Sequence, residues 1–303
     1  MSTSVIKLSK NELQKVVDYY QPHALNKQVP YTQLVAKKGG TTITVYTSGK
    51  VMFQGNQAEA EANRWQTTTT PAPSSGTLPK DFAQKSIIGS DEVGNGSYFG
   101  PLIVCAVYAE TAILPTLKNL GVKDSKMLTD PQIRQLAPKI KEVVPFQLLT
   151  VTPEKYNHIQ PQYNAVRMKV ALHNQAIQLL LQKIAPTQPE GILIDQFTSE
   201  KNYRNYLRME KNQVTEKLFF ITKGEQYHLA VAAASILCRA HFLEDLERAS
   251  QEVGYTLPSG AGNKSDQVAA KLLKEGGLDL LAKYAKLHFA NTEKAQKIAE
   301  KTL

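Results

Sequence analysis

The sequence predicts an α/β protein built on a mixed sheet flanked by helices, preceded by a small α+β unit. Three observations predict it. From about residue 81 onward, short apolar runs of strand length alternate with longer stripes of helical spacing. Residues 1–66 give a different pattern: one strand, a helix, three closely spaced strands and a closing helix. Between them lies Gln66–Lys80, QTTTTPAPSSGTLPK, nearly devoid of large apolar side chains. A segment so rich in Thr, Pro and Ser reads as a semi-stiff linker. The expected division is therefore 1–66, a linker at 67–80, and 81–303. A chain of 303 residues is long enough for two cores.

In the first unit, Val5–Leu8 is a strand candidate, and Asn11–Gln21 carries Leu13, Val16, Val17 and Tyr20 at helical spacing. Strands follow at Thr32–Ala36, Thr42–Thr47 and Lys50–Gln54, with Lys38-Gly39-Gly40 and Ser48-Gly49 as the turns. Glu59–Trp65 closes the unit as a helix. Eight basic residues here face four acidic ones. A helix-flanked sheet with that excess is suited to a nucleic-acid platform, and a solvated basic surface is the plainer alternative.

In the larger unit, Lys85–Ser90 and Pro101–Tyr108 read as neighbouring strands joined by a glycine-bearing loop. Asp130-Pro131 opens a helix with Ile133, Leu136, Ile140 and Val143 on one face, which Pro138 should kink or interrupt. Phe146–Val151 is a third strand and Val166–Ile184 a long helix. Gly191–Ile194 is apolar enough to be buried on both faces. Leu218–Ile221 is another strand, and His228–Arg248 is a helix whose Ala232-Ala233-Ala234-Ser235 permits close backbone approach. Helices are expected at Ser265–Glu275 and Leu278–Leu287. No internal repeat is visible.

The net charge of +9 and pI near 9.3 favour a polyanionic partner. No apolar run approaches the roughly 20 residues of a membrane span, and MSTSVIKLSK lacks a signal-peptide core. Cys105 and Cys238 sit in apolar runs without metal-binding spacing and read as buried free thiols. These features point to the cytoplasm, with no membrane partner.

The chemistry concentrates at Ser86–Pro101, SIIGSDEVGNGSYFGP. An apolar strand ends at adjacent carboxylates, Asp91 and Glu92, and Gly94-Asn95-Gly96 follows. A dinucleotide fingerprint would need those glycines to open a helix, but an apolar strand comes next. Asp195 ends the buried strand, and Glu225 follows a strand through Thr222-Lys223-Gly224. Taken singly, Asp195 also reads as a helix N-cap and Glu225 as a solvated surface acid. Together, acids at the carboxyl ends of strands in an α/β sheet form a site. Their repulsion calls for divalent cations, and hard oxygen ligands suit Mg²⁺ or Mn²⁺. Two such ions about 4 Å apart serve in-line phosphoryl displacement.

At this point the chain resembles a known family. Asp91-Glu92-Val93-Gly94-x-Gly96, the Ile-Asp strand end at Asp195, the Lys-Gly-acid turn, Ala-Ala-Ala-Ser-Ile at 232–236 and Asp124-Ser125-Lys126-x-Leu128 are similar to type 2 ribonuclease H. Glu225 as fourth acid resembles the ribonuclease HIII branch. So do the preceding module, similar to half of a TATA-box-binding protein, and the segments Leu172-His173-Asn174 and Lys286-Leu287-His288-Phe289-Ala290-Asn291-Thr292.

The resemblance implies a ribonuclease H-like fold and endonucleolytic cleavage of the RNA strand of RNA/DNA hybrids. Cleavage would leave 5′-phosphate and 3′-hydroxyl ends, with Mg²⁺ or Mn²⁺ as cofactor; nothing in the sequence requires more than a monomer. Asp91, Glu92, Asp195 and Glu225 carry over as catalytic metal ligands, with Asp91 bridging both ions. Gly94, Asn95, Gly96 and Ser97 carry over as the substrate loop, whose backbone meets a 2′-hydroxyl. Lys126 carries over as a phosphate contact, and Lys223 is a weaker candidate. Asn95 and Ser97 stand where ribonuclease HII usually has arginine and proline, so runs of ribonucleotides are the expected substrate. His173, His228 and His288 read as structural. Two alternatives stay open: another metal-dependent phosphodiesterase on this fold, and a hybrid-binding protein without catalysis.

Overall fold

Period-two alternation builds the smaller unit. In Lys50–Gly55 (β4), Val51 and Phe53 are fully buried, while Lys50 and Gln54 are exposed. The computed structural model describes residues 2–8, 10–26, 29–55, 57–65 and 78–301. The chain divides into two units, Met1–Pro73 and Ser74–Leu303. Most of the linker expected at 67–80 falls outside the described residues.

The smaller unit runs β1 (Ser2–Lys7), α1 (Lys10–Tyr20), β2 (Thr32–Lys38), β3 (Thr41–Tyr46), β4 and α2 (Ala58–Asn63). Its sheet has the order β1-β4-β3-β2 and is antiparallel throughout. Ile6, Ile43, Val45, Val51 and Phe53 pack with Leu13, Val16 and Tyr20 of α1 and with Ala58 and Ala62 of α2. The alternate positions Val5, Lys7, Lys37, Lys50 and Gln54 are exposed. Lys7 lies opposite Lys50 in the β1–β4 register.

The larger unit opens with an antiparallel trio: β5 (Ile87–Val93), β6 (Leu102–Ala109) and, after α3 (Leu114–Leu120) and α4 (Asp130–Val143), β7 (Phe146–Val151). Next come α5 (Pro153–Ile159), α6 (Ala165–Ile184), β8 (Gly191–Asp195), α7 (Glu200–Leu207), β9 (Leu218–Ile221) and α8 (Leu229–Val253). Two C-terminal helices, α9 (Asn263–Tyr284) and α10 (Ala290–Lys301), finish it. The sheet order is β7-β6-β5-β8-β9, with β5–β8 and β8–β9 parallel, so β5 is central.

Both faces of this sheet are covered. Ile87, Ile103, Cys105 and Leu193 face one core with α4 and α8, and Ile88, Val104, Ile192 and Ile194 face another with α6. The α8 contact is close because β5 offers Gly89. A Cβ there would stand 2.3 Å from the Val231 nitrogen, nearer than any side chain tolerates. The run Ala230–Ala234 supplies the matching small surface.

Two expectations are corrected. Asp91 and Glu92 lie inside β5 and not at its end, because β6 keeps pairing as far as Val93 opposite Ile103. Pro138 does not interrupt α4, which continues to Val143 from a Thr129–Gln132 capping box with Pro131 in its first turn. The two helices expected at Ser265–Glu275 and Leu278–Leu287 are both present, meeting at the non-helical Gly277 (φ 66°) within α9, and α10 follows them. Among the described residues, no helix is long and apolar enough to cross a membrane.

Candidate active site

Strand alternation separates the two adjacent acids. Asp91 shares the parity of Ile87 and Gly89 and faces α8, where Cys238 Sγ meets its carbonyl at 3.4 Å. Glu92 shares the parity of Ile88 and Ser90 and faces α6. Asp195 has the parity of Leu193, which faces the α8 side, and the parallel register sets Ile194 beside Ser90. Asp91 and Asp195 therefore stand on adjacent strands, in step, on one face. Beyond β9, Lys223 adopts a left-handed turn (φ 61°), which brings the Gly224 amide to Asp195 Oδ1 at 2.8 Å and buries Glu225.

The electrostatics of the four acids differ. Burial pushes the Asp91 carboxyl well above the usual range, and the charges of Glu92 and Asp195 add to it. Asp195 is raised too, chiefly by burial, with the Gly224 amide opposing. Glu92 goes the other way. Burial alone would raise it, but His173 and Lys169 together overrule that and hold it below its ordinary value. Lys169 Nζ lies 2.9 Å from Glu92 Oε1, and His173 Nε2 lies 2.9 Å from Oε2. His173 Nδ1 meets Ser90 Oγ at 2.7 Å. The Lys169 ammonium also sits 4.1 Å from the centre of the Phe197 ring, on which His173 stacks.

Asp124-Ser125-Lys126 is docked on α8: Ser125 Oγ meets Ser235 Oγ at 2.9 Å, and Arg239 Nη1 donates to the Ser125 carbonyl at 2.8 Å. This presents the largely exposed Lys126 side chain with Nζ 3.5 Å from Glu225 Oε1. Lys223 is exposed at the same turn.

Gly94 has φ 97°, and a Cβ there would fall 2.0 Å from the Pro101 carbonyl oxygen, so the loop accepts only glycine. Asn95 and Gly96 are exposed. Ser97 is buried: its hydroxyl donates to the Phe99 carbonyl and accepts from the Gly260 amide, and its own amide donates to the Gly94 carbonyl at 3.2 Å. His228 caps α8 through Nδ1, and His288 stacks on Tyr156, both structural as expected. His173 is a satisfied buried histidine, but one of its partners is a site acid.

Sequence reasoning missed Lys169. The signal was present: Lys169 and His173 are one helical turn apart in an otherwise apolar stripe, so two polar groups point the same way into a core. As the side chains lie, Glu92 is turned to Lys169 and His173 and Glu225 lies beside Lys126. Among the described residues, no three His, Cys, Asp or Glu side chains stand in metal-ligating geometry. The donor set is nonetheless carboxylate oxygen throughout. Burial raises Asp91 and Asp195 and neighbouring carboxylates add to it, and a hard dication would supply the countercharge their ionised oxygens need.

The comparisons with known proteins agree with this fold. The Ribonuclease HII family model matches residues 88–292, and a domain of unknown function, DUF3378, matches residues 3–77. The chain belongs to the ribonuclease HII family. Its full-length relatives put it on the ribonuclease HIII branch. Ribonuclease HIII of Enterococcus faecalis is 68% identical over 97% of this chain and 98% of its own length. Ribonuclease HIII of Listeria monocytogenes is 47% identical over 99% of this chain and 100% of its own. A solved structure of Bst-RNase HIII in complex with Mn²⁺ matches with a TM-score of 0.71 and 39% identity, covering 99% of this chain and all of that one.

Proposed function

We propose that this protein is a metal-dependent endoribonuclease that hydrolyses the RNA strand of RNA/DNA hybrids, leaving 5′-phosphate and 3′-hydroxyl ends. The observation that carries the reading is the pairing of Asp91 and Asp195 on adjacent strands, both raised by burial and by neighbouring carboxylates. Asp91, Glu92, Asp195 and Glu225 would hold Mg²⁺ or Mn²⁺, which would supply countercharge for the crowded acids and for the negative charge that develops on the phosphoryl oxygens. Asp91 would contribute its carboxylate from the central strand. Glu92 is kept ionised and oriented by Lys169 and His173. Lys126 offers its exposed ammonium to a phosphate beside Glu225.

The backbone of Gly94, Asn95 and Gly96 meets the 2′-hydroxyl side of the RNA strand, and runs of ribonucleotides are preferred over a single one. The exposed basic sheet positions of the smaller unit bind the hybrid. The two free buried thiols suit a reducing compartment, so the enzyme is taken as cytoplasmic, and as a monomer.

The test is Asp91→Asn on end-labelled hybrid, with duplex DNA, duplex RNA and a single-ribonucleotide duplex as controls. Cleavage should vanish while hybrid affinity stays within about threefold, because a ligand is lost but no basic surface. Near-normal turnover in that variant would sink the assignment.

A further inference from the structure

The segment Lys286–Thr292 has no part in the chemistry above, yet its polar groups converge on one place. Behind the glycine loop, the Gly100 amide donates to the Tyr284 carbonyl at 3.0 Å. The Lys286 amide donates to the Tyr98 carbonyl at 2.9 Å. Tyr98 donates its amide to the Gly260 carbonyl at 3.0 Å, and its hydroxyl meets Thr292 Oγ1 at 2.9 Å. Phe99 bridges to Ala285. The back of the loop is thus stitched to the C-terminal segment. The front is open: Asn95 and Gly96 are exposed, and a Cβ on Gly96 would meet nothing within 4 Å.

One member of this seam is out of place in a purely structural contact. Lys286 has no solvent exposure and, among the described residues, no ion-pair partner. Its ammonium donates to the Gly100 carbonyl and lies 5.8 Å from the centre of the Tyr156 ring. Burial pulls its pKa down to about 7, and burial, with the Lys286 charge adding to it, lowers the neighbouring His288 as well. A methionine of similar length would fill the space without desolvating a charge. What the lysine adds is a donor on Gly100, a residue at φ 81° whose other side is closed by the Phe242 ring, where a Cβ would stand at 2.9 Å.

We infer that Lys286 is a positioning residue that fixes the substrate loop from behind, holding Gly100 so that Gly94–Gly96 keep their backbone presented to the RNA strand. This rests on the reading that the loop meets RNA, and the test separates the two. Lys286→Met and Gly96→Ala are compared with wild type by steady-state cleavage of hybrid, Mn²⁺ calorimetry without substrate, thermal melting and amide exchange at residues 97–100.

Lys286→Met should raise KM about tenfold with kcat within twofold. Mn²⁺ affinity should be unchanged, the melting temperature no lower, and exchange at 97–100 at least tenfold faster. Tyr98→Phe, which removes only the Thr292 bond, should raise KM two- to threefold and covers the case in which Lys286→Met does not fold. If Gly96→Ala raises KM while Lys286→Met and Tyr98→Phe leave KM and exchange at wild-type values, the positioning role is wrong. If Gly96→Ala also leaves KM unchanged, the loop does not read the substrate, and the inference falls with that premise. A loss of Mn²⁺ binding in Lys286→Met would overturn it as well, by showing a general collapse of the site.

Discussion

Lys169→Met should be among the most costly single substitutions in the catalytic unit. Lys169 and Glu92 are 7% and 11% exposed at the side chain, with 2.9 Å between nitrogen and oxygen. Removing one member of a buried pair leaves the other charge uncompensated, at about 3–5 kcal/mol. His173 still holds the second oxygen at 2.9 Å, which puts the expected loss near the lower limit, about 3 kcal/mol. For a unit of this size that corresponds to a fall of roughly 6–12 °C in melting temperature. The assay is calorimetry in chelator, because the sole tryptophan, Trp65, lies in the smaller unit and reports little on this one. Glu92→Gln in the Lys169→Met background should recover at least half of the loss, a coupling of about 1.5 kcal/mol or more. In Lys169→Met the buried Glu92, left with His173 alone, rises in pKa. Such a group contributes stability below its unfolded value that is lost as pH rises, so the penalty should be larger at pH 8 than at pH 5. A loss under about 1 kcal/mol, or a coupling near zero, would refute the idea that Lys169 holds Glu92.

Three further outcomes are expected. Gly94→Ala must place a Cβ 2.0 Å from the Pro101 oxygen at positive φ, so it should cost more than about 2 kcal/mol and abolish hybrid binding; urea melts and gel shifts check it, and a wild-type melt would contradict the loop geometry. His228 is pulled down from 6.5 to about 4 by burial, although its bond to the Lys85 carbonyl opposes this. Its contribution is therefore complete above pH 6.5 and is lost as pH falls toward 4, about 3 kcal/mol in all; His228→Asn, which keeps a cap, should flatten the urea stability profile over that window, and an unaltered slope would count against it. Removing Lys7 and Lys50 together should weaken hybrid binding and reduce the salt slope by about 1 to 2, whereas an unchanged slope would mean that the exposed sheet face of the smaller unit does not meet phosphates.

The order of strands and long helices was legible because burial on two faces imposes strong patterns. Gly191–Ile194 and Pro101–Tyr108 are nearly wholly apolar because helices cover both faces of the sheet. The turns of the smaller unit were marked by Gly39, Gly40 and Gly49, all at positive φ. The short helices α3, α5 and α7, of 7, 7 and 8 residues, were missed because two turns are too few to establish a stripe. The candidate acids were readable because they interrupt or follow apolar strand patterns, although Asp91 and Glu92 lie inside β5 and not at its end. Residues that act through another, such as Lys169 on Glu92 and Lys286 on Gly100, were not, because their partners lie 77 and 186 positions away in the chain.

The division of Asp91 and Glu92 between opposite faces of β5 has a consequence for the order of synthesis. Both acids leave the ribosome early, but the helices that confine them, α6 for one and α8 for the other, follow much later, and the seam behind the loop is last of all. A nascent chain surrounded by RNA thus carries its acids unassembled. The four acids are brought together only once α6 and α8, which follow Asp91 and Glu92 in the chain, have packed on the two faces of the sheet.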